Sequence, residues 1–242
     1  MSVVISDAWR QRFGGTARLY GEKALQCFAD AHVCVVGIGG VGSWAAEALA
    51  RTGIGAITLI DMDDVCVTNT NRQIHALSGN VGLAKAEVMA ERIRLINPEC
   101  RVTVVDDFVT PENVAEYLGV GFSYVIDAID MVTAKLNIIE VCQRESIPVI
   151  SCMGGGNRFY PEKLMIADIN KSHTCPLARV MRRELKKRGI KKQLVLFSTE
   201  KPKKPQFRGD ATSPGTCSFV PPVAGFILAA HVLRTILEVP EQ

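Results

Sequence analysis

The 242-residue sequence contains no CxxC pair. Its eight cysteines stand at positions 27, 34, 66, 100, 142, 152, 175 and 217, which excludes a zinc knuckle. Some lie inside apolar runs, such as Cys34 in Val33–Val36. Reduced thiols in a cytoplasmic protein are therefore expected. The start, MSVVISDAWRQRF, lacks the apolar centre of a signal peptide. There is no internal repeat and no low-complexity tract. Gly 20 and Pro 11 are ordinary and exclude a collagen-like chain. Net charge is small, at +3, and by itself implies no partner. With 48% hydrophobic and 22% charged residues the chain is not disordered. An unbroken membrane span is also missing. The most apolar stretch, 219–237, is interrupted by Pro221, Pro222, His231 and Arg234. A core helix starting after the prolines is expected there, rather than a membrane contact.

What charge there is sits in one place. Residues 179–208 hold twelve Lys and Arg against two acids, Glu184 and Glu200, a net of +10 that leaves the rest at −7. Two readings stand side by side: a surface for a polyanion, and a solvated basic loop with no partner.

Periodicity gives the outline. Asp7 to Phe28 reads as helical. Val33–Val36 is a buried strand running into glycines. A helix follows over 43–52, a strand over 57–60, a helix over 85–97 stopped by Pro98, and strands over 101–105 and 124–128. A helix over 134–146 leads to a strand over 147–151. Alternation of this kind predicts an α/β fold with a doubly wound, mainly parallel sheet. The pattern weakens after Gly154. Strands over 163–169 and 194–198 are expected to be an antiparallel C-terminal extension, and 201–216 an exposed loop. The expected organisation is one domain: an N-terminal helical segment (1–30), a nucleotide-binding core (31–160) and an extension (161–242).

The first strand ends in Gly37-Ile38-Gly39-Gly40-Val41-Gly42. Such a turn, opening a helix, admits phosphate close to the main chain and to the helix N-terminus. Asp61 ends the next strand, where a carboxylate can accept from ribose hydroxyls. A hydride-transfer enzyme would need little more. Here Asp63, then Asn69-Thr70-Asn71-Arg72-Gln73, then Lys85 at a helix start, then Asp127-Ala128-Ile129-Asp130 surround the same expected pocket. Two cations and paired carboxylates suit triphosphate cleavage. Arg72 and Lys85 can neutralise developing phosphate charge, and Asp130 can hold Mg²⁺.

In this order the motifs resemble the ubiquitin-activating-enzyme-like adenylating proteins, over about residues 10–160. The resemblance implies ATP as substrate, with Gly37, Gly39, Gly40 and Gly42 along the phosphates. Asp61 is implied at the ribose with Asp63 beside it, and Asn69, Arg72 and Lys85 at the triphosphate. Asp127 is counted with the nucleotide-binding set, and Asp130 with Mg²⁺. Arg72, Lys85 and Asp130 are the implied catalytic residues. The start RFGGTARLYGEKAL, the run Gly154–Gly156, Asp168 and Phe219–Gly225 further resemble the tRNA threonylcarbamoyladenosine dehydratase subgroup. That subgroup cyclises the threonylcarbamoyl side chain on adenosine 37 of tRNA, through an acyl-adenylate, and is homodimeric. On this reading Arg182, Arg183, Lys186, Lys187, Arg188, Lys191, Lys192, Lys203 and Lys204 bind tRNA phosphates.

Two points stay open in the sequence. Relatives with R-F-x-R near the start carry an arginine that reaches the partner subunit's nucleotide. Here that place is Gly15, with Arg12 and Arg18 as the candidate substitutes, so no such arginine is carried over. The alternative function is adenylation of the C-terminal glycine of a small sulfur-carrier protein, with Cys175 or Cys217 accepting the acyl group or sulfur. A sulfur-transfer partner and a monovalent cation near the C-terminal loop are undecided by the sequence.

Overall fold

The computed structural model describes residues 2–119, 121–204 and 214–238. Among them, seven strands make one sheet: β1 His32–Val36, β2 Ala56–Ile60, β3 Arg101–Val105, β4 Tyr124–Asp127, β5 Val149–Cys152, β6 Leu164–Asp168 and β7 Leu194–Ser198. Their order is β3-β2-β1-β4-β5-β7-β6. All pairings are parallel except β6 with β7. The expected doubly wound sheet with an antiparallel C-terminal addition is what forms.

Nine helices accompany the described strands: α1 Asp7–Arg12, α2 Gly14–Tyr20, α3 Glu22–Asp30, α4 Gly42–Thr52, α5 Lys85–Ile96, α6 Val114–Leu118, α7 Val132–Arg144, α8 Pro176–Lys187 and α9 Val220–Ile236. Side chains of one strand alternate between two cores. Val33 and Val35 of β1 pack with Leu49 of α4, Met89 of α5 and Leu228 of α9. Cys34 and Val36 face the other way, toward Leu118 of α6 and Ile138 of α7. Each such fully buried aliphatic contributes about 1.5–3 kcal/mol. The edge strand β3 departs from the buried pattern, with Arg101 and Thr103 exposed.

Several boundaries differ from the sequence reading. The N-terminal helical stretch is three helices, broken at Phe13 and at Gly21, where φ is +90°. The 147–151 strand begins at Val149, because Ser146, with φ +57°, turns the chain first. Helix α9 starts before the prolines, not after them. Pro221 and Pro222 sit in its first turn, where a missing N–H breaks no helical bond. Gly225 lets α9 lie on α4: a Cβ there would stand 2.4 Å from the Val41 carbonyl oxygen. No helix among the described residues is long and apolar enough to cross a membrane.

The order of strands reverses between β1 and β4. A crevice opens at the carboxyl ends of strands at such a point.

Candidate active site

The glycine turn leaves β1 at this crevice. Gly37 has φ +87°, and a Cβ on it would lie 2.7 Å from Ile129 Cγ2. Gly42 is required by packing, since its Cβ would meet the Gly37 carbonyl oxygen at 1.8 Å. Gly39 is different. The nearest atom to a Cβ there is Gln73 Nε2 at 3.9 Å, so open space lies over the turn.

Asp61 follows β2 and braces the turn. Its Oδ2 accepts from the Ile38 N–H at 2.6 Å, and its Oδ1 from the Asp63 N–H at 2.8 Å. Each oxygen keeps a lone pair for a ligand hydroxyl. Burial pushes this carboxyl above its usual range, against the backbone bonds and Lys85. Lys85 opens α5. Its Nζ donates to Asp63 Oδ2 at 2.6 Å, while its own N–H donates to the Asp63 carbonyl at 2.9 Å. The ammonium is thus buried, and its partner carboxylate stays in water.

The segment between β2 and α5 brings the other groups. Asn69 is buried, and its Oδ1 accepts from the Cys66 N–H at 3.0 Å. Arg72 donates from Nη1 to the Thr68 carbonyl and to Asn71 Oδ1, both at 3.0 Å. Trp44 of α4 fixes the Arg72 backbone through its indole N–H at 2.9 Å. On the far wall, Asp130 follows β4. It is exposed and has no hydrogen bond or ion pair among the described residues.

One cavity of about 530 Å³ is lined by Gly37, Gly39, Gly40, Asp61, Asp63, Asn69, Arg72, Lys85 and Asp130. Two members of the expected set lie outside it. Gly42 sits behind the turn, for the packing reason given. Asp127 is fully buried, and Lys135 Nζ of α7 donates to its two oxygens at 3.0 and 2.9 Å. It is the last residue of β4 and points with Val125 toward α7, so it holds the floor instead of the ligand.

The cavity also has walls that the sequence reading left unassigned. Gln73 is buried with Oε1 unpartnered among the described residues, and Phe108, Met131, Ser198 and Pro221 line the cavity together with Gly154–Gly156. Gln73 adjoins Arg72 in the motif and was legible. The remainder come from the loops after β3, β4 and β5, from the end of β7 and from the first turn of α9, whose convergence only the topology reveals.

The basic window divides. Its first part, through Lys187, is helix α8, and Leu194–Ser198 is β7. Arg182 is spent internally: Nε donates to the Ile169 carbonyl at 3.1 Å and Nη2 to the Ser172 carbonyl at 2.6 Å. Arg183, Lys187 and Arg188 share Glu184, and Arg188 also meets Glu140 at 3.0 Å. Lys186, Lys191, Lys192, Lys203 and Lys204 are exposed, with no ion pair among the described residues. Arg208 lies outside the described residues. Cys175 caps α8 and is buried, and Cys217 is half-buried.

The family model described as the ThiF family matches residues 15–242. The chain belongs to the ThiF family. Within it, the chain is 59% identical to the tRNA threonylcarbamoyladenosine dehydratase of Escherichia coli, over 98% of this chain and 97% of that protein. It is 43% identical to the Bacillus subtilis protein of the same description, over 90% and 91%. The crystal structure of the Escherichia coli dehydratase in complex with ATP superposes with a TM-score of 0.91 at 60% identity, covering 98% of both chains. The molybdopterin-synthase adenylyltransferase of Salmonella typhimurium is 34% identical over 54% of this chain. Likeness to the Escherichia coli dehydratase thus covers 98% of the chain, and likeness to the molybdopterin-synthase adenylyltransferase 54% of it.

Proposed function

We propose that the protein is an ATP-dependent enzyme that cyclises threonylcarbamoyladenosine at position 37 of tRNA, with net loss of water. The observation that carries this reading is the convergence of Asp61, Arg72, Lys85 and Asp130 on one cavity over an open glycine turn. The chain that builds it resembles dehydratases from end to end.

ATP lies with its phosphates over Gly37–Gly42, where α4 presents its N-terminus. Asp61 receives the ribose. Asn69, Arg72 and Lys85 hold the triphosphate, and Asp63 keeps the Lys85 ammonium aimed. The substrate carboxylate attacks the α-phosphorus, and pyrophosphate leaves. Arg72 and Lys85 offset the charge that develops. The adjoining carbamoyl group then attacks the acyl carbon and expels AMP. No enzyme nucleophile is needed, because the attacking group is tethered to its target.

Mg²⁺ fits Asp130 as that residue stands. No cluster of three ligating side chains exists among the described residues. A lone exposed carboxylate is what Mg²⁺ uses when phosphate oxygens and waters fill its other positions. There it would supply charge neutralisation on the phosphates.

Lys186, Lys191, Lys192, Lys203 and Lys204 form the phosphate-binding surface for tRNA. Arg182 is removed from the expected set, and Arg183, Lys187 and Arg188 serve it only after leaving Glu184. The extension 161–242 carries this surface and the contact with a second subunit of a cytoplasmic homodimer. Burial of Cys175 leaves the sulfur-carrier alternative only the half-buried Cys217 as its thiol. The test is pyrophosphate release from ATP and Mg²⁺. Release with tRNA carrying threonylcarbamoyladenosine, and none with tRNA lacking it, is expected. Release driven instead by a small protein ending in Gly-Gly would replace the reading.

A further inference from the structure

The chain between β5 and β6 inverts the usual placing of apolar and charged side chains. Phe159 and Tyr160 are 59% and 45% exposed, while Arg158 and Glu200 are only 5% and 4% exposed. Both buried charges are spent on the main chain of this loop. Arg158 donates from Nη1 to the Gly154 and Gly156 carbonyls and from Nε to the Glu200 carbonyl at 3.3 Å. Glu200 Oε2 accepts from the Phe159 and Tyr160 N–H groups at 3.0 and 3.1 Å. The turn Pro161–Lys163 holds Tyr160 from its other side. There the Lys163 N–H donates to the Tyr160 carbonyl at 3.2 Å, and Lys163 Nζ stands 4.9 Å from the Tyr160 ring centroid. Burying a charge is costly. A loop that served only to connect β5 to β6 would bury its rings and leave its charges in water. Here two charges are buried and two neighbouring rings are held in solvent on a fixed backbone.

The surroundings of the rings give an independent argument. Gly156, shortly before Phe159, lines the cavity, and so do Leu164 at the start of β6 and Ser198 at the end of β7, next but one to Glu200. The rings therefore stand at the cavity's rim. That rim is basic. Over 157–164 and 199–204 the exposed charges are Lys163, Lys201, Lys203 and Lys204, against Glu162 alone. None of these lysines has an ion pair among the described residues. The Lys203 N–H donates to the Asn157 carbonyl at 2.8 Å, which ties the lysine segment to the aromatic loop. Unpaired nucleotides suit such a surface, since their bases stack on rings and their phosphates meet the ammonium groups. A paired helix hides its base faces and would use the lysines alone. An isologous contact with a second copy of the chain would set these lysines against their like.

We propose that Phe159 and Tyr160 are a stacking platform for the unpaired nucleotides that flank the modified adenosine. This rests on the dehydratase reading and deepens it. The adenosine at position 37 must leave its neighbours to enter the cavity, and those neighbours then lie at the rim. The two rings replace the stacking that the bases lose, and the four lysines take their phosphates.

The experiment compares the full-length wild type with Phe159→Ala, Tyr160→Ala, Phe159→Leu and Phe159→Trp. The probe is an RNA stem-loop whose loop carries threonylcarbamoyladenosine with the fluorescent base 2-aminopurine beside it. Affinity at several salt concentrations, fluorescence of the bound probe, melting temperature, oligomeric mass and cyclic product are measured. Stacking should quench the probe on the wild type. Each alanine variant, and Phe159→Leu, should bind on the order of tenfold more weakly with the quench reduced. Their melting temperature should not move, nor should the slope of log K against log salt, because no phosphate contact is removed. Phe159→Trp should keep both affinity and quench. Wild-type affinity and quench in both alanine variants would overturn the platform. So would a leucine variant equal to the wild type, which would make the contact apolar packing. A changed oligomeric mass in the alanine variants would overturn it too, by giving the rings to a second copy. A wild type that forms no cyclic product removes the dehydratase reading, and the platform with it, and is distinct from every result read on the variants.

Discussion

Two lysines in this protein each pair with an aspartate, and their surroundings predict opposite consequences of removing them. Lys135 and Asp127 are both 0% exposed, 2.9 Å apart, and sealed under the cavity floor. Lys135→Met would strand a carboxylate in the core. Breaking a buried pair in this way costs about 3–5 kcal/mol, or roughly 6–20 °C in Tm for a chain of this size. Lys85 is only 7% exposed, but its partner Asp63 is 66% exposed. Lys85→Met leaves Asp63 in water, so the stability loss should stay within about 1 kcal/mol. Its effect belongs to chemistry. Loss of one preorganised group that stabilises transition-state charge slows catalysis by about 10²–10³, or about 2.7–4 kcal/mol. Differential scanning calorimetry and ATP–pyrophosphate exchange on both variants check the contrast. A Lys85→Met protein that melts as low as Lys135→Met would refute a phosphate role for Lys85, and so would one that exchanges at the wild-type rate.

Glycines of one turn should also separate. Gly42→Ala must displace the Gly37 carbonyl and should cost about 1–3 kcal/mol or more in urea denaturation, whereas Gly39→Ala, with 3.9 Å of clearance, should fold normally and bind ATP more weakly. Replacing Lys186, Lys191 and Lys192 by Ala should weaken tRNA binding and make log K fall less steeply with log salt, by about one unit of slope for each phosphate left without its lysine. Arg182→Ala should act mainly on Tm. His75 is buried with both ring nitrogens unpartnered among the described residues, and burial, then Lys85 and Arg92, depress its pKa to about 4. The ring stays neutral in the fold while the unfolded chain takes up a proton below about pH 6.5. Its contribution to stability is therefore undiminished above that value and falls as pH drops, by about 2 kcal/mol from pH 7 to pH 5, levelling below about pH 4. Calorimetric unfolding at the two pH values should show that fall relative to His75→Gln, and equal pH dependence in the two proteins would contradict it.

The parts of this molecule that were legible in the sequence are those with local signals. A β1 apolar run followed by four glycines, a carboxylate at the end of β2 and a lysine opening α5 each announce their position through spacing. Asp127 was misplaced because the motif DAxD offers two carboxylates and no direction. The period of two along β4 settles it, since Asp127 shares a face with Val125, which packs with Ala134 and Ile138 of α7. Helix α8 was obscured by its own charge. Ala178, Met181 and Leu185 form its buried stripe, yet basic residues outnumber them. The short α6 has five residues, too few for a 3.6-residue period to register. The far wall of the cavity belongs to loops separated by up to about a hundred residues in the chain, and only strand order brings them together.

The most direct measurement of the central claim is the mass of the nucleoside at tRNA position 37 after incubation with the protein, ATP and Mg²⁺. The account predicts a product lighter by one water, with one AMP and one pyrophosphate released for each ring formed. An unchanged nucleoside, with ATP bound but not cleaved, would contradict it.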